Sequence, residues 1–200
     1  QAPWPAARRI WQARLERVAP WFLETEAERR CFADPWLREA KGRWKVDGLP
    51  NGRPITLVGK ADRIDRLHDG RVAIYDYKSG KPPTEKEERS FAKQLWLEAA
   101  MAANGAFGKD GPLETARVAY IGLGATPQVS GTDPTPQQIE AFASEFRSLL
   151  AHYLDPQSGF APRRAVKNTR WRGDYDQLAR YGEWDETSDI IRQPVGDHGR

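Results

Sequence analysis

The sequence holds a single cysteine, Cys31, in 200 residues. A lone thiol excludes a disulfide framework, a Cys-rich zinc site and a four-cysteine iron–sulfur cluster. Histidine is also scarce: there are three, and none lies in residues 1–67. No apolar run approaches the roughly 18 residues that a membrane helix needs, so no membrane partner is expected. No signal peptide is visible, and we find no internal repeat or low-complexity block. Lys and Arg number 31 against 28 Asp and Glu, a net charge of only +3. That balance permits a polyanionic partner without demanding one. The chain begins at Gln1, and we read it as a piece of a longer protein. One cysteine fits a reducing compartment, hence a cytoplasmic setting.

Hydrophobic residues make up 39% and aromatics 10%, enough to build a core in one domain spanning 1–200. Residues 4–30 have a helical pattern, with Ile10, Leu15, Val18 and Phe22 recurring at three- and four-residue steps and Pro20 as an expected break. Residues 34–40 read as a second short helix opened by Asp34-Pro35. Residues 43–46 alternate as a half-buried strand does. Residues 55–67 and 71–78 read as a β-hairpin closed by His68-Asp69-Gly70. A helix is expected over 84–104, a strand over 116–123, a loop over 125–134 and a helix over 136–153. Beyond 155 the pattern is irregular, apart from a short helical piece around 175–181. This order predicts an α/β domain with a mixed sheet and an irregular tail over 155–200.

The chemistry concentrates in the hairpin. Asp62 lies in Gly59-Lys60-Ala61-Asp62-Arg63-Ile64-Asp65, and Asp76 and Lys78 lie in Ile74-Tyr75-Asp76-Tyr77-Lys78-Ser79-Gly80. Positions 76 and 78 of a strand share a face, and a three-residue loop at 68–70 sets Asp62 opposite Asp76. Two facing carboxylates repel unless a positive charge stands between them. A hard divalent cation, Mg²⁺ or Mn²⁺, prefers such oxygen ligands and keeps several waters. Lys78 could then orient or deprotonate an attacking water, or stabilise charge on a phosphate. The plain alternative is a surface ion pair across two strands. Asp65 faces away from Asp62 in this register and is expected to pair with Arg63, Arg66 or Arg71.

Gly59-x-x-Asp62-Arg63-Ile64-Asp65, Ile74-x-Asp76-Tyr77-Lys78-Ser79-Gly80 and Gln94-Leu95-x-Leu97-Glu98-Ala99-Ala100 resemble the RecB-type branch of the PD-(D/E)xK nucleases. Within that branch they look most similar to the C-terminal nuclease domains of the AddB family, found in bacterial AddAB helicase–nucleases. Softer matches at 21–30 and 175–184 extend the resemblance over nearly the whole chain. It implies a restriction-endonuclease-like core and metal-dependent hydrolysis of single-stranded DNA in double-strand break repair and recombination. It also implies an AddA-like helicase–nuclease partner subunit and a bacterial cytoplasm.

By the same resemblance, Asp62 and Asp76 are the metal-binding acids, with the Tyr77 carbonyl near the metal, and Lys78 is the catalytic lysine. Gln94 matches the glutamine that helps hold DNA there. In many relatives a Tyr stands four residues after that Gln; here it is Glu98. Many also carry a metal-binding His on the first helix. Glu26 is the candidate replacement, with Glu24 and Glu28 as rivals, and the plain alternative is that all three are solvated helix charges. The tail offers Arg163, Arg170 and Arg172 interleaved with Trp171 and Tyr175, a composition suited to single-stranded DNA; the same aromatics could simply dock the tail. The missing His and Glu98 together motivate a rival reading, a nuclease-like fold kept as a DNA-binding or assembly module.

Overall fold

A computed structural model describes residues 5–50, 52, 54–155, 157–158 and the isolated positions 177, 180, 183 and 187. Nine elements follow one another: α1 (Pro5–Arg30), β1 (Ala33–Val46), β2 (Ile55–Leu67), β3 (Val72–Lys78), α2 (Glu85–Ser90), α3 (Gln94–Ala103), β4 (Thr115–Gly122), β5 (Gln128–Thr132) and α4 (Pro136–Leu154). The five strands form one sheet in the order β1-β2-β3-β4-β5. All neighbours are antiparallel except β3 and β4, which run parallel. The parallel pair needs a crossover, and α2 and α3 supply it.

The β2–β3 hairpin follows from its turn. Gly70 takes φ +89°, a conformation other residues resist, and its N–H donates to the Leu67 carbonyl at 2.9 Å. Asp69 Oδ1 accepts from the Arg71 N–H at 3.0 Å. The ladder then pairs Arg66 with Val72, Ile64 with Ile74 and Arg63 with Tyr75, the register expected from the sequence. Val72, Ile74 and Ile64 face α3 and α4, where Leu95, Ala99, Met101 and Ile139 close the main core. Each such aliphatic side chain contributes about 1.5–3 kcal/mol on burial. On the opposite face Ala73, Tyr75, Ala119 and Ile121 form a smaller core against Trp21 of α1.

Four expectations change, the last of them at Pro20 of α1. Residues 34–40 belong to β1 and are not a helix: the strand pairs with β2 along its whole length, and Pro35 sits at a register shift. Ladder pairing overrides the cap-like Asp34-Pro35, and a proline without an N–H is tolerated where the ladder slips. The helix expected over 84–104 is two helices. Thr84 and Glu87 form a capping box that starts α2, the Phe91 and Ala92 N–H groups turn back onto the Glu87 carbonyl, and a new helix starts at Gln94. Phe91 is consequently exposed. The Gly/Ser/Thr stretch expected as a loop carries β5, an edge strand paired to β4.

α1 runs through Pro20 without a break, with Phe22 and Arg29 anchoring its second half on Tyr75 and Tyr77. Its first half leaves Ile10, Trp11 and Leu15 exposed. The helical piece expected around 175–181, apart from positions 177 and 180, and the basic tail residues Arg163, Arg170 and Arg172 lie outside the described residues. Among the described residues, no helix is long and apolar enough to cross a membrane.

Candidate active site

The site forms where β2 and β3 diverge. Their ladder ends at Arg63 opposite Tyr75, and one step further along stand Asp62 and Asp76. Asp62 Oδ2 accepts a hydrogen bond from the Tyr77 backbone N–H at 2.9 Å. The side chain of Asp62 therefore occupies a place that a strand neighbour would otherwise fill. β1 marks the same level. Its ladder with β2 passes from Ala40–Ala61 to Arg38–Arg63, and Glu39, between them, has φ +51°. A bulky non-glycine residue in that region is strained. Glu39 is ion-paired with Lys60.

Asp76 is 2% exposed and lies opposite Tyr120 of β4. Burial pushes its pKa up, Lys78 pulls it down and the charge of Asp62 pushes it up again. Lys78 Nζ stands 2.7 Å from Asp76 Oδ2. The same ammonium donates to Gln94 Oε1 at 3.3 Å, and Gln94 Nε2 donates to Glu98 Oε1 at 3.1 Å. Four side chains thus form one chain of contacts, Asp76–Lys78–Gln94–Glu98, spanning the end of β3 and the first turn of α3.

Glu98 terminates that chain and is 4% exposed. Its second oxygen is buried with no hydrogen-bond partner among the described residues. Burial pushes its pKa up to about 7 against the Gln94 hydrogen bond, and the charges of Asp76 and Asp62 add to the rise. The sequence shows Glu98 only as a departure from a motif. Its burial comes from α3, whose Leu95, Ala99 and Ala102 face the core on either side of it. A run of Ala and Leu around one Glu was the available signal.

The other sequence candidates fall in two places. Gln94 joins the site. Glu26 does not: Arg63 donates to both of its oxygens at 2.7 and 3.0 Å, Arg29 to one at 3.0 Å and Arg30 to the other at 2.7 Å. Burial pushes its pKa up, but hydrogen bonds from Arg63, Arg30 and Arg29 outweigh this and hold it at about 2. Each of its oxygens takes guanidinium donors from these arginines. Arg63 is the hub of this cluster. Its other side grips Asp65, which is fully buried, at 2.5 and 2.6 Å, and it also reaches the Tyr77 hydroxyl at 3.2 Å. The expectation that Asp65 pairs with a neighbouring arginine matches this contact.

Among the described residues no group of three or more His, Cys, Asp and Glu is gathered for a metal. Asp62 and Asp76 supply a two-carboxylate oxygen set. That set suits Mg²⁺, which takes one or two carboxylates and keeps water on its remaining positions.

Comparison with known proteins decides the family. The family model described as the PD-(D/E)XK nuclease superfamily matches residues 1–170. The chain belongs to the PD-(D/E)XK nuclease superfamily. Its mixed five-stranded sheet flanked by helices is the restriction-endonuclease-like fold of that family. It is similar to an uncharacterized protein of Rickettsia bellii, 27% identical over 76% of this chain and 20% of that protein. Further relatives occur in Rickettsia felis, at 30% identity over 62% of this chain and 15% of that protein, and in Rickettsia typhi, at 32% over 58% and 14%. The chain therefore spans about a fifth or less of the length of these relatives. The solved crystal structure of SSO0001 overlaps 72% of this chain and 65% of its own at 17% identity, with a TM-score of 0.37.

Proposed function

We propose that this chain is a Mg²⁺- or Mn²⁺-dependent deoxyribonuclease domain that hydrolyses phosphodiesters of single-stranded DNA. The observation that carries the reading is the meeting of Asp62, Asp76 and Lys78 where β2 and β3 separate, in a chain of a nuclease superfamily. Asp62 and Asp76 would hold the metal, with the Tyr77 carbonyl beside them. When bound, the metal supplies a more acidic water and a counter-charge for the phosphate. Lys78, held between Asp76 and Gln94, serves as a donor to the phosphate oxygen or to the attacking water. Gln94 presents its amide beside that lysine and positions the strand. In the reaction, water oxygen bonds to phosphorus as the bond from phosphorus to the leaving sugar oxygen breaks. One proton leaves the water and one joins the leaving oxygen.

The resemblance to the AddB family extends the proposal to break repair and recombination, with an AddA-like partner subunit delivering the strand in a bacterial cytoplasm. The test is calorimetric titration of Mg²⁺ and Mn²⁺ into the wild-type chain and Asp76→Asn, followed by digestion of single-stranded DNA with the same samples. Metal binding and cutting that both vanish in the variant support the reading. A wild type that binds no metal and cuts nothing supports the rival, a DNA-binding module that has lost its chemistry. The commitment of Glu26 to three arginines favours that rival, because it withdraws one candidate metal ligand.

A further inference from the structure

Three rows of the β3–β4 ladder lead from the main core into the site. Ile74 pairs with Val118, Asp76 with Tyr120 and Lys78 with Gly122. The first row is wholly apolar and belongs to the core. Tyr120 stands in the middle row, 2% exposed, packed with that core and directly beside Asp76. Its ring lies under the Lys78 ammonium, with Nζ 5.4 Å from the ring centroid. Its hydroxyl donates to the Ala92 carbonyl at 3.4 Å, in the turn between α2 and α3. That bond holds the far end of the ring against the turn that leads into Gln94.

A tyrosine in a core needs no further reason on its own account. The ring fills space and the hydroxyl finds a carbonyl. That explains the burial of Tyr120 and its bond to Ala92. It does not explain the lysine. Lys78 has no side-chain neighbour on β4, because its partner there is Gly122, where a Cβ would lie 2.5 Å from Pro82 Cδ. A lysine is a point charge on a flexible four-carbon stem, and an open row lets it swing through solvent. Here it turns back by one row, toward Asp76 and over the face of Tyr120. An ammonium within about 6 Å of an aromatic centroid is attracted by the negative face of the ring.

We propose that Tyr120 is a positioning residue of the nuclease site, its ring being the seat that holds the Lys78 ammonium beside the acids. The inference rests on the nuclease reading for the reaction it serves. Three groups hold Lys78: Asp76, Gln94 and Tyr120. In the proposed reaction Asp76 also answers to the metal, and Gln94 to the strand. The ring has no second duty, so it keeps the ammonium in place while the other two exchange partners. A ring face also attracts the charge without a directed hydrogen bond. The ammonium has three N–H groups, and the seat leaves them to the substrate side. A carboxylate in the same place would take one of them.

The test compares Tyr120→Phe, which keeps a ring, with Tyr120→Leu, which does not. The first readout is the proton–carbon correlation signal of the Lys78 ε-methylene in the metal-free chain, assigned by its loss in Lys78→Arg. The ring is expected to displace this signal upfield of the other lysines. Tyr120→Phe keeps the displacement and Tyr120→Leu abolishes it. The second readout is cleavage of a single-stranded oligothymidylate with Mg²⁺. Tyr120→Leu is expected to lower kcat roughly 10-fold with KM changed less than about twofold, in line with the loss of one cation–π contact. Tyr120→Phe is expected to stay within about threefold of wild type, since the ring face remains. Thermal melts verify that each variant is folded. Tyr120→Met, which fills more of the ring's volume without a π face, serves if the leucine variant is not.

A Lys78 signal that stays where it was in Tyr120→Leu overturns the seat, and so does a ringless variant that cuts like wild type. A Tyr120→Phe as slow as Tyr120→Leu overturns it too, because the hydroxyl would then carry the effect. A wild type that cuts nothing while the Lys78 signal follows the ring keeps the seat and sinks the nuclease reading; cutting that ignores the ring does the reverse.

Discussion

The Tyr77 backbone N–H donates to Asp62 Oδ2 at 2.9 Å, across the fork where β2 leaves β3. One acid of the pair is thereby tied to the peptide that follows the other acid, Asp76. That bond orients the Asp62 carboxylate against the backbone, while Lys78 holds the Asp76 carboxylate. Asn at 62 keeps a hydrogen-bonding oxygen for Tyr77 but carries no charge for a metal. Asp62→Asn is expected to keep the fold, shift the melting temperature by no more than a few degrees and lower cleavage by more than about 100-fold. Thermal melts beside a digestion time course check both halves.

Asp76 gives the complementary expectation. Burial raises its pKa, so the folded chain holds a proton that the unfolded chain releases over the window above the ordinary carboxylate value. Stability falls as pH rises through that window. Asp76→Asn removes this cost, and the variant is expected to be more stable than wild type at pH 8 while cutting nothing. Equal or lower stability in urea titrations at pH 8 contradicts the assignment of Asp76 as a charge held at a cost for function.

Glu98 titrates in the same direction and within reach of neutral pH. With its folded pKa near 7 and an ordinary value of 4.5, the wild type loses stability as pH climbs between the two. Glu98→Gln is therefore expected to gain up to about 3 kcal/mol over wild type at pH 8 and almost nothing at pH 4. Denaturation of the metal-free chain at the two pH values measures it.

The same residue orients Gln94. A carboxylate only accepts, so it takes the amide NH₂ of Gln94 and leaves the amide oxygen for Lys78. Gln at 98 can donate or accept and loses that discrimination. Glu98→Gln is expected to lower kcat about 10-fold with KM for DNA little changed, and to add nothing on a Gln94→Ala background. Additive losses in the double variant break the proposed linkage.

The arginine hub is structural. Arg63 is buried between Glu26 and Asp65, and losing one partner strands its charge. Asp65→Ala is expected to cost about 3–5 kcal/mol, read as a shift of the urea midpoint with an unchanged slope.

The hairpin register, the approach of Asp62 to Asp76 and the pairing of Asp65 with one of Arg63, Arg66 and Arg71 were legible in the sequence. The reason is locality: a three-residue turn sets the pairing of β2 with β3. The fate of Asp34-Pro35 was not legible, because only pairing with β2, far along the chain, makes a strand of it. The arginine contacts of Glu26 were not legible for a similar reason. Its spacing on α1 says nothing about Arg63, which reaches it from another element. The positive φ of Glu39 has no signature at all in a residue that is neither Gly nor Asn.

The turn at residues 68–70 has a consequence in time as well as in space. A short hairpin closes in microseconds, whereas the parallel pairing of β3 with β4 must wait for a long crossover. Asp62 and Asp76 are thus driven together early, before α3 and its lysine-holding glutamine have docked. The repulsion between them falls on the folding rate more than on the unfolding rate. In a chevron plot, Asp76→Asn should lift the folding arm and leave the unfolding arm nearly where it was. The chemistry this domain is built for would then set the pace at which it folds.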